Sequence, residues 1–171
     1  MNTLILSSSL SKNSRSFILC EAVAKQLSSK NIKCTIVDSR KIPILSTHLG
    51  HNSEMERLSI QIKEADNIII GMGVHCYSIS DSLKALLDTC FSHANDKFFG
   101  VLCSAGGERS YLSTMHLTQI CMNEWRMMQL PRIVYATAKD FNGDEISSEN
   151  LHERIEVFSE EFCLIGNKLL S

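Results

Sequence analysis

At 171 residues, with 44% hydrophobic content and only two prolines, the chain has the composition of one folded domain and not of a disordered segment. A chain this long buries about 70% of the surface that its unfolded form exposes. The net charge of −2 and the pI near 6.3 exclude an overall basic field for nucleic acid or an anionic membrane, and they do not describe a strongly acidic electron-carrier surface.

No apolar run approaches the ~20 residues of a membrane span, and Leu4–Leu6 is too short for a signal-peptide core. A soluble cytoplasmic protein is expected, without nucleic-acid or membrane partners. The seven cysteines are odd in number and none forms a C-x-x-C pair. Cys20, Cys90, Cys121 and Cys163 fall in helical patterns, and Cys34 and Cys103 in strand patterns. They read as buried free thiols in a reducing compartment, with Cys76 alone in a loop.

Thr3–Ser7 reads as a short first strand. Ser14–Ser29 follows as a helix, with Ile18, Leu19, Ala22, Val23 and Leu27 at helical spacing and Asn13 or Ser14 as N-cap. Ile32–Asp38 is a β-branched second strand, and residues 39–53, with Pro43 and Gly50, form a long aperiodic connection. Glu54–Glu64 is a helix keyed on Met55, Leu58 and Ile62. Asn67–Gly73 carries the run Ile68-Ile69-Ile70 of a strand covered on both faces. Ser80–Ser92 is a helix capped by Ser80 or Asp81, and Phe98–Ser104 a fourth strand. Leu112–Met128 is a helix whose continuation Pro131 blocks, and Arg132–Ala138 is the fifth strand. Asn142-Gly143-Asp144 marks a turn before a closing helix, Leu151–Leu170, with Leu151, Ile155, Phe158, Phe162, Ile165 and Leu169 on its apolar face.

Strands alternating with helices predict an α/β protein with a doubly wound five-stranded parallel sheet, helices on both faces and strand order 2-1-3-4-5, in a single domain over 1–171. Ligands of such sheets collect at the carboxyl ends of the strands, near the switch in strand order. Three loops therefore matter. The first is Ser7 to Ser16, rich in serine; the second is Gly71 to Ile79; the third is Ser104-Ala105-Gly106-Gly107-Glu108-Arg109-Ser110. The first loop runs from a strand into a helix N-terminus, where unpaired N–H groups, the helix dipole and serine hydroxyls suit a phosphate. With no glycine before Gly50, it is neither a dinucleotide fingerprint nor a Walker A loop. A hydroxyl-rich loop suits a pre-existing phosphate monoester, as in a mononucleotide, while a simple capped turn is the plainer reading of serines alone.

These residues resemble the NAD(P)H-dependent FMN reductases, flavoproteins of flavodoxin-like fold. Ser8-Ser9-Leu10-Ser11-Lys12-Asn13-Ser14-Arg15-Ser16 is similar to the family's phosphate loop, Gly-Ser-Pro-Ser-x-x-Ser-Arg-Ser. Gly73 to Lys84 aligns with Pro-x-Tyr-x-x-Ser-Ile-Pro-Gly-x-Leu-Lys, and Gly106-Gly107 matches the glycine pair beside the flavin. The chain departs from the pattern at Ser8 for glycine, Gly73 for proline, His75 for the aromatic residue, and Ser80-Asp81 for Pro-Gly.

The resemblance implies an FMN-binding, NAD(P)H-dependent oxidoreductase that passes hydride from nicotinamide to FMN N5 and then to a small-molecule acceptor, a flavin or a quinone. It implies FMN with NADPH or NADH as cofactors and a homodimer or homotetramer. Ser8, Ser9, Ser11, Ser14, Arg15 and Ser16 would surround the phosphate. Gly73, Val74, His75, Cys76, Tyr77 and Ser78 would line the ring, with Ser104, Gly106 and Gly107 at its pyrimidine edge. No acid–base residue is assigned a catalytic role, because the cofactor carries the chemistry. A metal site is not expected, since His48 and His51 have no further ligand nearby. The alternatives are a flavodoxin-type electron carrier and a cofactor-free scaffold of the same fold.

Overall fold

A computed structural model describes residues 1–171. Its first strand is β1, Asn2–Ser7, followed by α1, Arg15–Ser29, and β2, Lys33–Asp38. Then come α2, Ser53–Glu64; β3, Asn67–Gly73; α3, Asp81–Cys90; β4, Phe98–Ala105; and α4, Thr114–Trp125. The chain continues through β5, Met128–Gln129; β6, Val134–Thr137; the short strands β7, Phe141–Asn142, and β8, Glu145–Ile146; and α5, Glu149–Leu170. The main sheet is parallel with order β2-β1-β3-β4-β5, and β6 also pairs with β4. The doubly wound flavodoxin-like order 2-1-3-4-5 is thus the one expected.

The strands are covered on both faces because their side chains alternate. Leu4, Leu6, Ile68 and Ile70 point to the side holding α2, α3 and α4, where Leu58, Leu86 and Leu117 pack. Ile5 and Ile69 point the other way, against Leu19, Val23, Phe158 and Phe162 of α1 and α5. Each fully buried side chain of this size contributes about 1.5–3 kcal/mol through loss of water contact. No helix is long and apolar enough to cross a membrane.

Several boundaries differ from those expected by one to three residues, and the departures at the fifth strand and at α4 have local causes. The fifth strand is two pieces: Gln129 lies opposite Phe99 and Val134 opposite Leu102, so Leu130 to Ile133 oppose only Gly100 and Val101. Pro131, which has no N–H for a ladder, sits in that bulge. Helix α4 ends at Trp125, short of Pro131, because Arg126 turns left-handed at φ 50° and its N–H closes on the Cys121 carbonyl. Its predicted start is taken by a 3-10 stretch, Glu108–Ser113. Leu169, expected on the apolar face of α5, is exposed. The turn at Gly143, φ 60°, joins β7 and β8 into a small hairpin that the sequence showed only as a turn.

Parallel pairing aligns the carboxyl ends at one rim. Ser7 lies beside Asp38 and Gly71, Gly73 beside Ser104, and Ala105 beside Thr137. The three loops singled out above therefore leave the sheet together.

Candidate functional site

The phosphate-loop end is held from several sides. Ser8 is fully buried; its N–H and its hydroxyl both donate to the Gly71 carbonyl at 2.9 Å, and its own carbonyl accepts from Ser82 Oγ at 3.2 Å. Helix α1 sits so close to β3 that a Cβ on Gly71 would collide with Cys20 Sγ and lie 3.3 Å from the Ser16 carbonyl. Only glycine lets the helix start come down onto the strand. Ser14 caps α1, accepting from Phe17 N–H at 3.1 Å, while its hydroxyl also meets Ser16 Oγ at 3.1 Å. The cap is thus Ser14, the second of the two candidates. The N–H groups of Arg15 and Ser16 belong to the open first turn, which has no intrahelical acceptor for them.

The outer side of the same loop is tied to β2. Arg40 binds Asp38 through Nε and Nη2, each at 2.8 Å, and donates through Nη1 to the Lys12 carbonyl at 3.1 Å. Its guanidinium lies 4.4 Å from the Phe17 ring centre, a cation–π contact. Burial by itself raises the Asp38 pKa, but the Arg40 hydrogen bonds and charge outweigh it and hold the carboxyl below its ordinary 3.8. Nothing in the sequence pattern pointed to Arg40.

A cleft of about 370 Å³ opens at this end. Ser9, Ser11, Ser14, Arg15, Ser16, Gly73, Val74, Ser104 and Gly106 line it, all of them sequence-predicted. Asn13, Ala105, Gly143 and Asp144 line it too and were not singled out. The last two reach it on the β7–β8 hairpin, whose Phe141 carries the Arg15 guanidinium at 5.7 Å. Ser8 falls outside the cleft, since its hydroxyl is used inside the protein.

A second cleft of about 420 Å³ shares Gly106 with the first and extends past Gly107. Tyr77, Glu108, Arg109, Ser110, Thr137 and Lys139 complete its wall. Lys139 pairs with Glu108 at 3.2 Å, whereas Arg109 makes no ion pair. A Cβ on Gly106 or Gly107 would meet no protein atom within 4 Å, and neither residue has a positive φ. The protein's own packing and backbone do not demand glycine there; the open space lies where the two clefts join.

The loop after β3 has a different character. His75 N–H donates to the Ser78 carbonyl at 2.9 Å, and Ser78 N–H returns to the His75 carbonyl at 2.8 Å. The two residues between, Cys76 and Tyr77, are left-handed at φ 47° and 59°. A two-residue hairpin turn requires that geometry and is ordinarily built from Asn and Gly. With side chains such as these it stores about 1–2 kcal/mol of strain per residue. The His75 ring folds back on Gly73, its Nε2 3.9 Å from where a Cβ there would sit. Cys76 is exposed at the turn's apex, outside both clefts. Ser78 points away from them, to His116 of α4, whose Nδ1 is 2.9 Å from Ser78 Oγ.

All seven cysteines are free. Burial pushes the Cys20, Cys103 and Cys121 thiols up to about 12, which leaves them unreactive at neutral pH.

The sequence of residues 1–142 matches the family model of the NADPH-dependent FMN reductases. The chain belongs to that family. It is accordingly an oxidoreductase whose cofactor is FMN and whose reductant is NAD(P)H. The matched stretch takes in all three rim loops and ends inside the β7–β8 hairpin.

Among curated proteins none matches the sequence. Solved structures of similar fold include an oxidoreductase from Corynebacterium diphtheriae, with TM-score 0.79 and 20% identity over 98% of each chain. An NADH:FMN oxidoreductase in its apo form gives TM-score 0.83 at 15% identity, over 96% of this chain and 89% of that one. FerB, an NAD(P)H:(acceptor) oxidoreductase from Paracoccus denitrificans, gives 0.80 at 16%, over 98% and 97%. At these identities the likeness is one of fold.

The residues present fit FMN. The first cleft has hydroxyl and backbone donors at one end and glycine-bordered open space at the other.

Proposed function

We propose that the chain is a single-domain flavin or quinone reductase that holds FMN in the first cleft and admits NAD(P)H and the acceptor through the second. The observation that carries this reading is the continuity of the two clefts at Gly106, with phosphate donors at the far end of one and an unpaired cation, Arg109, in the other. Ser9 and Ser11 donate hydroxyls to the phosphate, and one of Ser14 and Ser16 adds a third, since the other's proton is held in their mutual bond. The open turn of α1 adds N–H groups, and Arg15 adds charge, each such bond being worth about 1.5–3 kcal/mol when the acceptor is ionised. Gly73, Val74 and Ser104 border the polar edge of the ring, the Val74 N–H being spent on the Ser104 carbonyl, and Gly106 and Gly107 leave room for its plane. Arg109 and Lys139 attract the phosphates of the pyridine nucleotide, and Tyr77 supplies an aromatic wall for a planar acceptor. When bound, FMN supplies the hydride chemistry, accepting at N5 from nicotinamide and delivering electrons to the acceptor. The protein supplies position and exclusion, so no side chain is assigned proton transfer. A homodimeric or homotetrameric assembly and a cytoplasmic location belong to the same reading.

The test is calorimetric titration of FMN, followed by NADPH and NADH oxidation with FMN and with a quinone. Micromolar or tighter FMN binding with turnover is the expected result. Gly106→Val should lower FMN affinity about tenfold while changing unfolding free energy by less than about 0.5 kcal/mol, because the new side chain enters ligand space and not the core. A wild-type protein that neither binds FMN nor oxidises either nucleotide refutes the proposal.

A further inference from the structure

His116 belongs to none of the three rim loops, and its place in α4 gave the sequence reading no reason to single it out. It is exposed, lines neither cleft, and so touches no ligand bound in either. Yet its hydrogen bond to Ser78 is the only one that the side chains of residues 75–78 make to another element. The turn it reaches is the strained one. Two mutual backbone bonds close residues 75–78, and both open if the left-handed pair between them relaxes. What fixes the turn relative to the sheet is Val74 N–H on the Ser104 carbonyl at 3.2 Å on one side and His116 on Ser78 on the other. The two ties lie on the two sides of the left-handed pair. Between them the turn sets the His75 ring on Gly73, which lines the first cleft, and places Tyr77 in the wall of the second.

We propose that His116 is a positioning residue for the ring end of the site: by holding Ser78 it keeps the Cys76–Tyr77 turn in its strained form, with the His75 ring against Gly73 of the first cleft and Tyr77 in the wall of the second. The proposal rests on the reading of the first cleft as the FMN site. Its geometry also names the conservative replacement. The bond uses Nδ1, the nitrogen nearer the backbone, so asparagine places an amide group at about the same reach, whereas alanine removes the bond.

The decisive measurement is hydrogen exchange of the cofactor-free protein, read on peptides spanning residues 74–79, combined with FMN calorimetry. His116→Ala should speed exchange of the His75 and Ser78 amides about tenfold, the worth of one ordinary hydrogen bond, and leave the helices unchanged. FMN affinity should fall by a comparable factor. His116→Asn should recover most of both losses, and Ser78→Ala should match His116→Ala with no further loss in the double variant. Unchanged exchange in His116→Ala, or an asparagine variant no better than alanine, overturns the proposal. So does faster exchange with unaltered FMN affinity, since the turn would then move without consequence for the ring. If the wild type binds no FMN, the reading of the cleft fails, and the exchange data alone decide whether His116 holds the turn.

Discussion

The loops after β1 and after β3, which flank the site, are built on opposite plans. At the phosphate end no residue of the loop is left-handed, and the loop is held at several points. Ser8 is locked to Gly71, Ser14 caps α1, and Arg40 bridges Asp38, Phe17 and Lys12. At the ring end a turn of two left-handed, non-glycine residues is exposed at its apex and steadied by one side-chain bond. The difference separates affinity from adaptability. A phosphate is the same in any FMN, so its site gains from rigidity; the ring must meet both a reductant and an acceptor, and a loop of low local stability can adjust to each.

The contrast can be broken most forcefully at the phosphate end. Replacing Ser14 and Ser16 together with alanine should weaken FMN binding about 10- to 100-fold by calorimetry, since the one charge-assisted bond that this hydrogen-bonded pair can spare is lost. The same variant should lose about 1 kcal/mol of stability through the missing cap, measured by urea unfolding. Binding that survives both changes would place the phosphate elsewhere.

A smaller effect of opposite sign is expected at the ring end. Cys76→Asn with Tyr77→Gly supplies the residues that a left-handed two-residue turn prefers, and should raise stability by about 1 kcal/mol in urea unfolding. No gain would mean that the turn is not strained and the comparison fails.

The smallest effect concerns acid. Asp38 titrates below its ordinary 3.8 because Arg40 holds the ionised form against the cost of burial. Its contribution to stability is therefore complete above that pH and is lost as the pH falls through the lower, folded-state value. The stability advantage of wild type over Asp38→Asn, about 0.5–1 kcal/mol at pH 6 for a partly exposed pair, should shrink in urea unfolding as the pH is lowered below 3.8. An advantage that does not shrink on acidification would remove Asp38 from the loop's anchorage.

Local pattern was enough for much of this. Apolar runs and helical periodicity predicted the strands and the helices, because burial on a two-faced sheet leaves its mark on each residue, and the order 2-1-3-4-5 followed as the likelier of the common doubly wound orders for five strands. The serines before α1 announced a helix start, and that start does line the cleft. Other features had no local mark. Ser8 looks like its neighbours, but β3 and α3 close over it and consume its hydroxyl. Pro131 appeared to end α4, whereas Arg126 does so through its backbone angle.

The sequence by itself determined that a parallel sheet would bring three small-residue loops to one rim, since the alternation of strands with helices, which makes the strands parallel, is written along the chain. Only the tertiary structure decided which atoms remain free there. Whether a hydroxyl faces a ligand or a carbonyl, whether a glycine borders protein or open space, and which histidine steadies the ring loop all depend on partners distant in the chain. Ser8 and Gly71 are 63 residues apart, and Ser78 and His116 are 38 apart. Contacts over such separations are fixed by packing, and no local periodicity encodes them.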